Sequence, residues 1–216
     1  MGKIKQGILG GFNGKVGPVI GFAWKGISGM RARAQSVPNP NTEAQQLQRK
    51  KFRLLGQWLS PVNGFLRAGF AAYADGQSQF DAAMDFNFAG DAFSDPEELD
   101  RVKVNPASVI VSKGALMPVF NATAAYRSQN HDINITWDDN TGIGNAKETD
   151  TVMWLLVNET NGQVIYHVEA SKRDEEESNV DLPTAWHDTR VGVWIALRNE
   201  AGLASDSQYL GAIAIE

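Results

Sequence analysis

The chain has 216 residues, of which 43% are hydrophobic and 21% charged, and it contains no Cys. That makeup suits a globular chain of one domain or two small ones, and it excludes a disulfide framework, a thiol nucleophile and a zinc–thiolate site. The net charge of −5 hides a division: Met1 to Ser60 hold ten Lys or Arg against the single acid Glu43, a charge of +9, and the remaining residues carry −14.

The first stretch, Gly2 to Gly26, has eight glycines in twenty-five positions. Glycine loses more backbone freedom on folding than any other residue, so such a density belongs where the backbone must turn or approach something closely. The runs "ILGGF" and "VGPVIGFAW" fall far short of the ~20 residues of a membrane span. They are also too broken for the apolar core of a signal peptide, and no small-residue cleavage site follows. The expected location is the cytoplasm when the chain is made, with later entry into a virion or an exported assembly. From Lys15 to Ala34 apolar residues alternate loosely around Gly and Lys with a turn signal at Lys25-Gly26, which predicts a glycine-rich β-hairpin.

"SVPNPNTEAQ" ends that pattern, and Thr42 with Gln45 three residues on fits a capping box, so a helix is expected to start there. Leu47, Leu54, Leu55, Trp58 and Leu59 fall on one side of it, with Arg49, Lys50 and Arg53 off that side, until Pro61. Two further helical stretches are expected over Val62–Ala74 and around Phe80–Ala89.

From Val102 the texture turns to β. Seven short runs, "SVIVSKG", "FNATAAYR", "INITW", "TVMWLLVN", "QVIYHVEA", "VGVWIALRN" and "SQYLGAIAI", are separated by turn formers such as Thr160-Asn161-Gly162. That spacing predicts an immunoglobulin-like β-sandwich with Trp137, Trp154 and Trp194 filling its core. The expected class is therefore α+β: a glycine-rich basic arm with a helical module over 1–104, then an immunoglobulin-like sandwich over 105–216.

The string "MGKIKQGILGGFNGKVGPVIGFAWKGISGMRARA", then "NPNTEAQQLQRKKF" and a late "DSQYLG", resembles an uncharacterised family of Bacteroidota proteins, phage-borne members among them, known only as a domain of unknown function. The likeness covers nearly the whole chain and is most specific over the first 53 residues. It implies a glycine-rich basic module, a helical middle and a β-sandwich end, and no catalytic residue. The pattern "NPNTxAQxxxRxxF" after a basic hairpin is also loosely similar to phage and surface-assembly proteins.

No catalytic or cofactor constellation stands out. The glycine string lacks the Gly-x-x-x-x-Gly-Lys-Ser/Thr of a phosphate loop, and Gly7, Gly10, Gly11 and Gly14 do not sit between a strand and a helix as a dinucleotide fingerprint requires. His131, His167 and His187 lie apart without metal-site spacing and are expected as isolated surface or edge residues. "WDDNTG" gathers oxygen ligands at Asp138-Asp139-Asn140, yet Thr149 stands where a calcium loop needs Glu, so these are expected as turn residues. "RDEEES", Arg173 to Ser178, reads as a solvated charge run or as the partner of the basic arm. No cofactor or metal is expected.

Three functions fit. In the first, a non-enzymatic assembly protein, the arm of Phe12, Lys15, Phe22, Trp24, Lys25, Arg31 and Arg33 packs on copies of itself or on other subunits, with the aromatics as anchors. In the second, a surface-binding or adhesin-like module, the sandwich loops hold a glycan or protein. In the third, Phe22 and Trp24 stack on nucleic-acid bases, while Arg31, Arg33 and a basic helix face of Arg49, Lys50, Lys51 and Arg53 hold phosphates. Assembly is the economical reading, since binding a polyanion needs charge and makes no use of nine glycines in the first 29 residues.

Overall fold

A computed structural model describes residues 3–4, 11–24, 26–34, 36, 40–74 and 76–216. The chain divides into two compact units, Met1–Thr42 and Glu43–Glu216. In the first, strands β1 (Lys3–Ile4), β2 (Phe12–Val16), β3 (Val19–Trp24) and β4 (Ile27–Ala32) form an antiparallel sheet in chain order. The hairpin expected between Lys15 and Ala34 is β3–β4, with Trp24 opposite Ile27. Two more strands extend it, so the alternation described one hairpin of a larger meander. Gly26 has φ of 82°, the left-handed backbone that a two-residue turn requires. Its neighbour Lys25 lies outside the described residues, as do Gly7 and Gly10 of the glycine string.

The second unit starts with helix α1 (Glu43–Leu59), directly after Thr42. Helix α2 (Asn63–Gly69), a 3-10 turn over Ala71–Tyr73 and helix α3 (Gln79–Ala89) follow, close to the expected stretches. The Ser78 hydroxyl caps α3 by accepting the Asp81 N–H at 3.1 Å. Leu55 and Leu59 of α1 and Phe65 and Leu66 of α2 are fully buried in one core, with Leu47, Leu54 and Trp58 packed against it.

The short pair β5 (Phe93–Ser94) and β6 (Lys103–Val104) leads into seven strands. These are β7 (Phe120–Arg127), β8 (Asp132–Asp138), β9 (Thr151–Asn158), β10 (Val164–Lys172), β11 (Glu177–Asp181), β12 (Thr189–Arg198) and β13 (Gln208–Ile215). They form a four-stranded sheet, β10-β9-β12-β13, and a three-stranded sheet, β11-β8-β7. Successive residues of a strand point to opposite faces, and on β9 both faces are covered. Val152, Trp154 and Leu156 share a core with Ile133, Ile135 and Trp137 of β8, between the two sheets. Met153, Leu155 and Val157 face the other way and share the helical core with Leu55, Leu59 and Phe65. The unit is thus layered: helices, four-stranded sheet, three-stranded sheet.

Three expectations change on this architecture. Trp194 is fully buried, but it belongs to the helical core and not to the core between the sheets. Its ring meets Trp58 edge-on at 5.6 Å and Tyr209 at 4.8 Å. The boundary expected at 104/105 falls inside the second unit, whose helical core draws residues from Leu55 through Ala204. And "SVIVSKG" is a buried connection rather than a strand: side chains serve its backbone in place of a neighbouring strand. The buried Asn87 amide of α3 accepts the Ile110 N–H and donates to its carbonyl, each at 2.8 Å, and Ser207 accepts the Val111 N–H at 3.1 Å.

The seventh strand comes instead from the charge run. Ser178 and Val180 of β11 turn inward while Glu177, Asn179 and Asp181 stay exposed. Arg173, at the start of that run, is wholly buried and not solvated. Its guanidinium donates to Asp150 Oδ2 through Nε and Nη2 at 3.2 and 2.9 Å, to Asn140 Oδ1, and to the Met117 carbonyl at 2.8 Å. Trp137 Nε1 donates to the Arg173 carbonyl at 2.7 Å, so one arginine ties the loops at this end of the sheets to the core.

Two outcomes follow from this layering. Leu55→Ala should cost about 2–5 kcal/mol and lower the helical and strand signals in one transition, read by circular dichroism and tryptophan fluorescence. A separate, unshifted β transition would show instead that residues 105–216 are independent. Arg173→Met strands the buried Asp150 carboxylate and should cost about 3–5 kcal/mol, while the Arg173→Met/Asp150→Leu pair should cost less than the single change. Denaturant titration of the three chains decides it, and a double variant weaker than the single would count against a coupled pair.

Candidate interaction site on the basic arm

The first 42 residues carry six Lys or Arg and no acid. In the arm sheet, Lys15 is opposite Ile20 and Ile20 opposite Arg31, so two of the expected bases flank one apolar position on one face. Phe22 stands on that same face opposite Gly29. A β-carbon at Gly29 would lie 2.7 Å from the Phe22 ring, so only glycine lets the ring lie across the neighbouring strand. At Gly21 a β-carbon would run into the carbonyl and ring of Phe12. The glycines on β3 and β4 thus make room for the two aromatics.

The sheet buries little of its own apolar surface. Val16 is 50% exposed, Phe22 42%, Ile27 69% and Met30 71%. Val16 and Met30 lie on the face opposite to Phe22 and Ile27, so both faces present hydrophobic side chains. Arg31 and Arg33 are exposed, and the Arg33 N–H donates to the Pro18 carbonyl at 2.7 Å.

The expected basic helix face belongs to the second unit and splits by role. Lys50 reaches the Leu99 carbonyl at 2.7 Å, capping the loop before β6. Lys51 sets its ammonium 5.7 Å from the centre of the Phe93 ring. Both are half-buried, whereas Arg49 and Arg53 are exposed. Helical spacing located these residues, but it could not show that two of the four serve the fold.

The other candidate groups are also engaged. Asp139 accepts from the backbone N–H and hydroxyl of Thr141, which hold its carboxyl below the usual carboxylate range. Asn140 is buried against Arg173 and the Pro118 carbonyl. His131 and His187, expected apart, stack at 4.1 Å. His131 Nδ1 sits 2.9 Å from the Tyr126 hydroxyl. No local spacing signals that pair, because the two rings come from loops 56 residues apart in sequence.

Two cavities in the second unit had no signal in the sequence. One of about 500 Å³ lies beside the bulge of β10, among Thr151, Glu169, Lys172 and Arg198. The other, of about 320 Å³, is walled by Trp58, Pro61, Pro106 and Trp194. Among the described residues no helix is long and apolar enough to cross a membrane, and no group of His, Cys, Asp and Glu is arranged to hold a metal ion.

No curated protein matches the chain. The model of a family of unknown function, DUF6266, matches residues 11–211, which takes in the arm from Gly11 onward, the helices and both sheets. The chain belongs to that family.

Proposed function

We propose that this is a non-enzymatic assembly protein, which packs through its basic glycine-rich arm into a homo-oligomer or a larger particle such as a virion or a surface assembly. The observation that carries the reading is the arm, whose 42 residues have six bases and no acid and whose sheet exposes hydrophobic side chains on both faces. A sheet of this size cannot bury enough surface to be worth much alone, and a partner supplies what it lacks. The second unit carries −11, so a neighbouring copy offers the complementary charge. The strand order β11-β8-β7 facing β10-β9-β12-β13 supports reading the β-rich part as an immunoglobulin-like sandwich displayed by the assembly.

The intact chain should self-associate at micromolar concentration, and removal of residues 1–34 should leave a soluble monomer that loses only the strand signal of β1 to β4 and keeps the helices and sheets of the second unit. Native mass spectrometry with circular dichroism reads both, and an intact chain that stays monomeric in every preparation sinks the proposal.

Binding of a polyanion is the competing use of the same bases, and salt separates the two. If the arm held phosphates, affinity for an oligonucleotide would fall with a log–log slope of roughly one per neutralised phosphate. The expected result is no submicromolar binding at physiological salt in fluorescence anisotropy. Tight binding that vanishes when Arg31 and Arg33 are neutralised would put nucleic acid first.

A further inference from the structure

Sheet edges expose unpaired backbone groups, and natural proteins cover, bulge or charge them. Among the described residues, the second unit manages most of its edges: β10 carries a bulge between His167 and Ser171, and β13 lies beside β7. β11 is less protected. It pairs with β8 in unbroken register from Glu177 to Asp181, and no described strand is hydrogen-bonded to its other side.

The outward-facing groups of β11 can be read from its ladder. Leu182 donates its N–H to the His131 carbonyl, and Trp137 donates to the Glu176 carbonyl. Even-numbered residues therefore bond inward, and Glu177, Asn179 and Asp181 turn their N–H and C=O groups to the open edge. Their side chains are exposed, and Asp174, Glu175 and Glu176 precede them, also exposed. The nearest cation on β7, Arg127, is occupied by Asp132 and Asn179.

The arm sheet has the matching feature with the opposite sign. Among the described residues β4 is its terminal strand, paired with β3 alone. The Arg33 N–H bonds inward to Pro18, so the odd-numbered residues of β4 face β3. Ser28, Met30 and Ala32 present their backbone groups outward, flanked by Arg31 and Arg33. No Pro, Lys or bulge protects this edge over Ile27–Ala32.

We infer that β4 of one copy adds as a parallel strand to the open edge of β11 of a second copy, the orientation that sets Arg31 and Arg33 on the same face as Glu177, Asn179 and Asp181. The inference rests on the assembly reading above and names its contact. Charge selects the pairing. Two β4 strands side by side would bring arginines together, two β11 strands would bring two acidic runs together, and β4 on β11 joins opposite signs. Main-chain hydrogen bonds between three outward residues on each strand supply affinity, as in other strand additions. Because donor and acceptor edges differ, each copy gives one strand and receives one, which builds head-to-tail rings or filaments rather than two-fold dimers.

A charge-swap experiment on the full chain tests this, with mass photometry or sedimentation velocity as the readout and circular dichroism to show that each variant is folded. Arg31→Glu/Arg33→Glu alone and Glu177→Lys/Asp181→Lys alone should each be monomeric, since each now sets like charges on both edges. An equimolar mixture should regain assembly, because each arm then meets an edge of opposite sign. Met30→Pro removes one outward N–H without touching the β3 ladder and should abolish assembly of an otherwise unchanged chain. Either swap variant assembling like wild type, or a folded mixture that stays monomeric, overturns the β4–β11 contact. Loss of assembly on removing the arm, together with such a result, leaves the assembly reading standing and this docking edge refuted. A monomeric wild type takes down both.

Discussion

The second unit depends on the four-stranded sheet being buried on both faces. β9 and β12 hold hydrophobic side chains at nearly every position, and each face has its own cover, helices on one side and the three-stranded sheet on the other. A strand buried on both faces reads as a continuous apolar run, whereas one facing water on one side alternates. The layers are therefore coupled: losing the helices would bare Met153, Leu155, Val157 and Trp194 to water, at about 25 cal/mol for each Å² exposed. The edge-on contact of Trp58 with Trp194 joins the layers, and the chain divides near Thr42 and not at the change from helix to strand.

The arm follows a different economy. Its glycines give up side-chain burial so that Phe12 and Phe22 can lie across adjacent strands. The result is a thin sheet with exposed hydrophobics, in a segment whose charged side chains are all positive. Glycine density and exposed apolar residues are thus two sides of one arrangement, in which side-chain volume is given up for close backbone packing.

The buried Arg173 shows how a polar residue can organise loops instead of binding a partner. An arginine can donate five hydrogen bonds, and here they bring Asp150, Asn140 and Met117 onto one guanidinium. The "WDDNTG" turn joins the same network through Asn140 Oδ1, while Asp138 accepts from Asn121 and Asp139 from Thr141, so oxygens that resemble a cation site in the sequence serve neighbouring donors. In the same way Lys50 and Lys51, which read as half of a binding face, are committed to a loop carbonyl and an aromatic ring.

The sequence by itself determined the local elements wherever periodicity and punctuation agreed. Thr42 and Pro61 bounded α1, six of the seven apolar runs located β7 to β10, β12 and β13, and the Lys25-Gly26 turn signal located the β3–β4 hairpin. It also determined the charge division and the glycine density from which the function is argued. The tertiary structure alone decided which face each residue uses, because a one-dimensional pattern records that a position is apolar and not which layer covers it. Trp194 was legible as buried, but its partner was not. "SVIVSKG" was legible as an apolar run and read as a strand, but the Asn87 amide, Ser207 and the Gly69 carbonyl satisfy its backbone without a ladder. Glu177–Asp181 was hidden as a strand because its two inward residues, Ser178 and Val180, are too few to stand out against the acids around them, and pairing with β8 gave them their face.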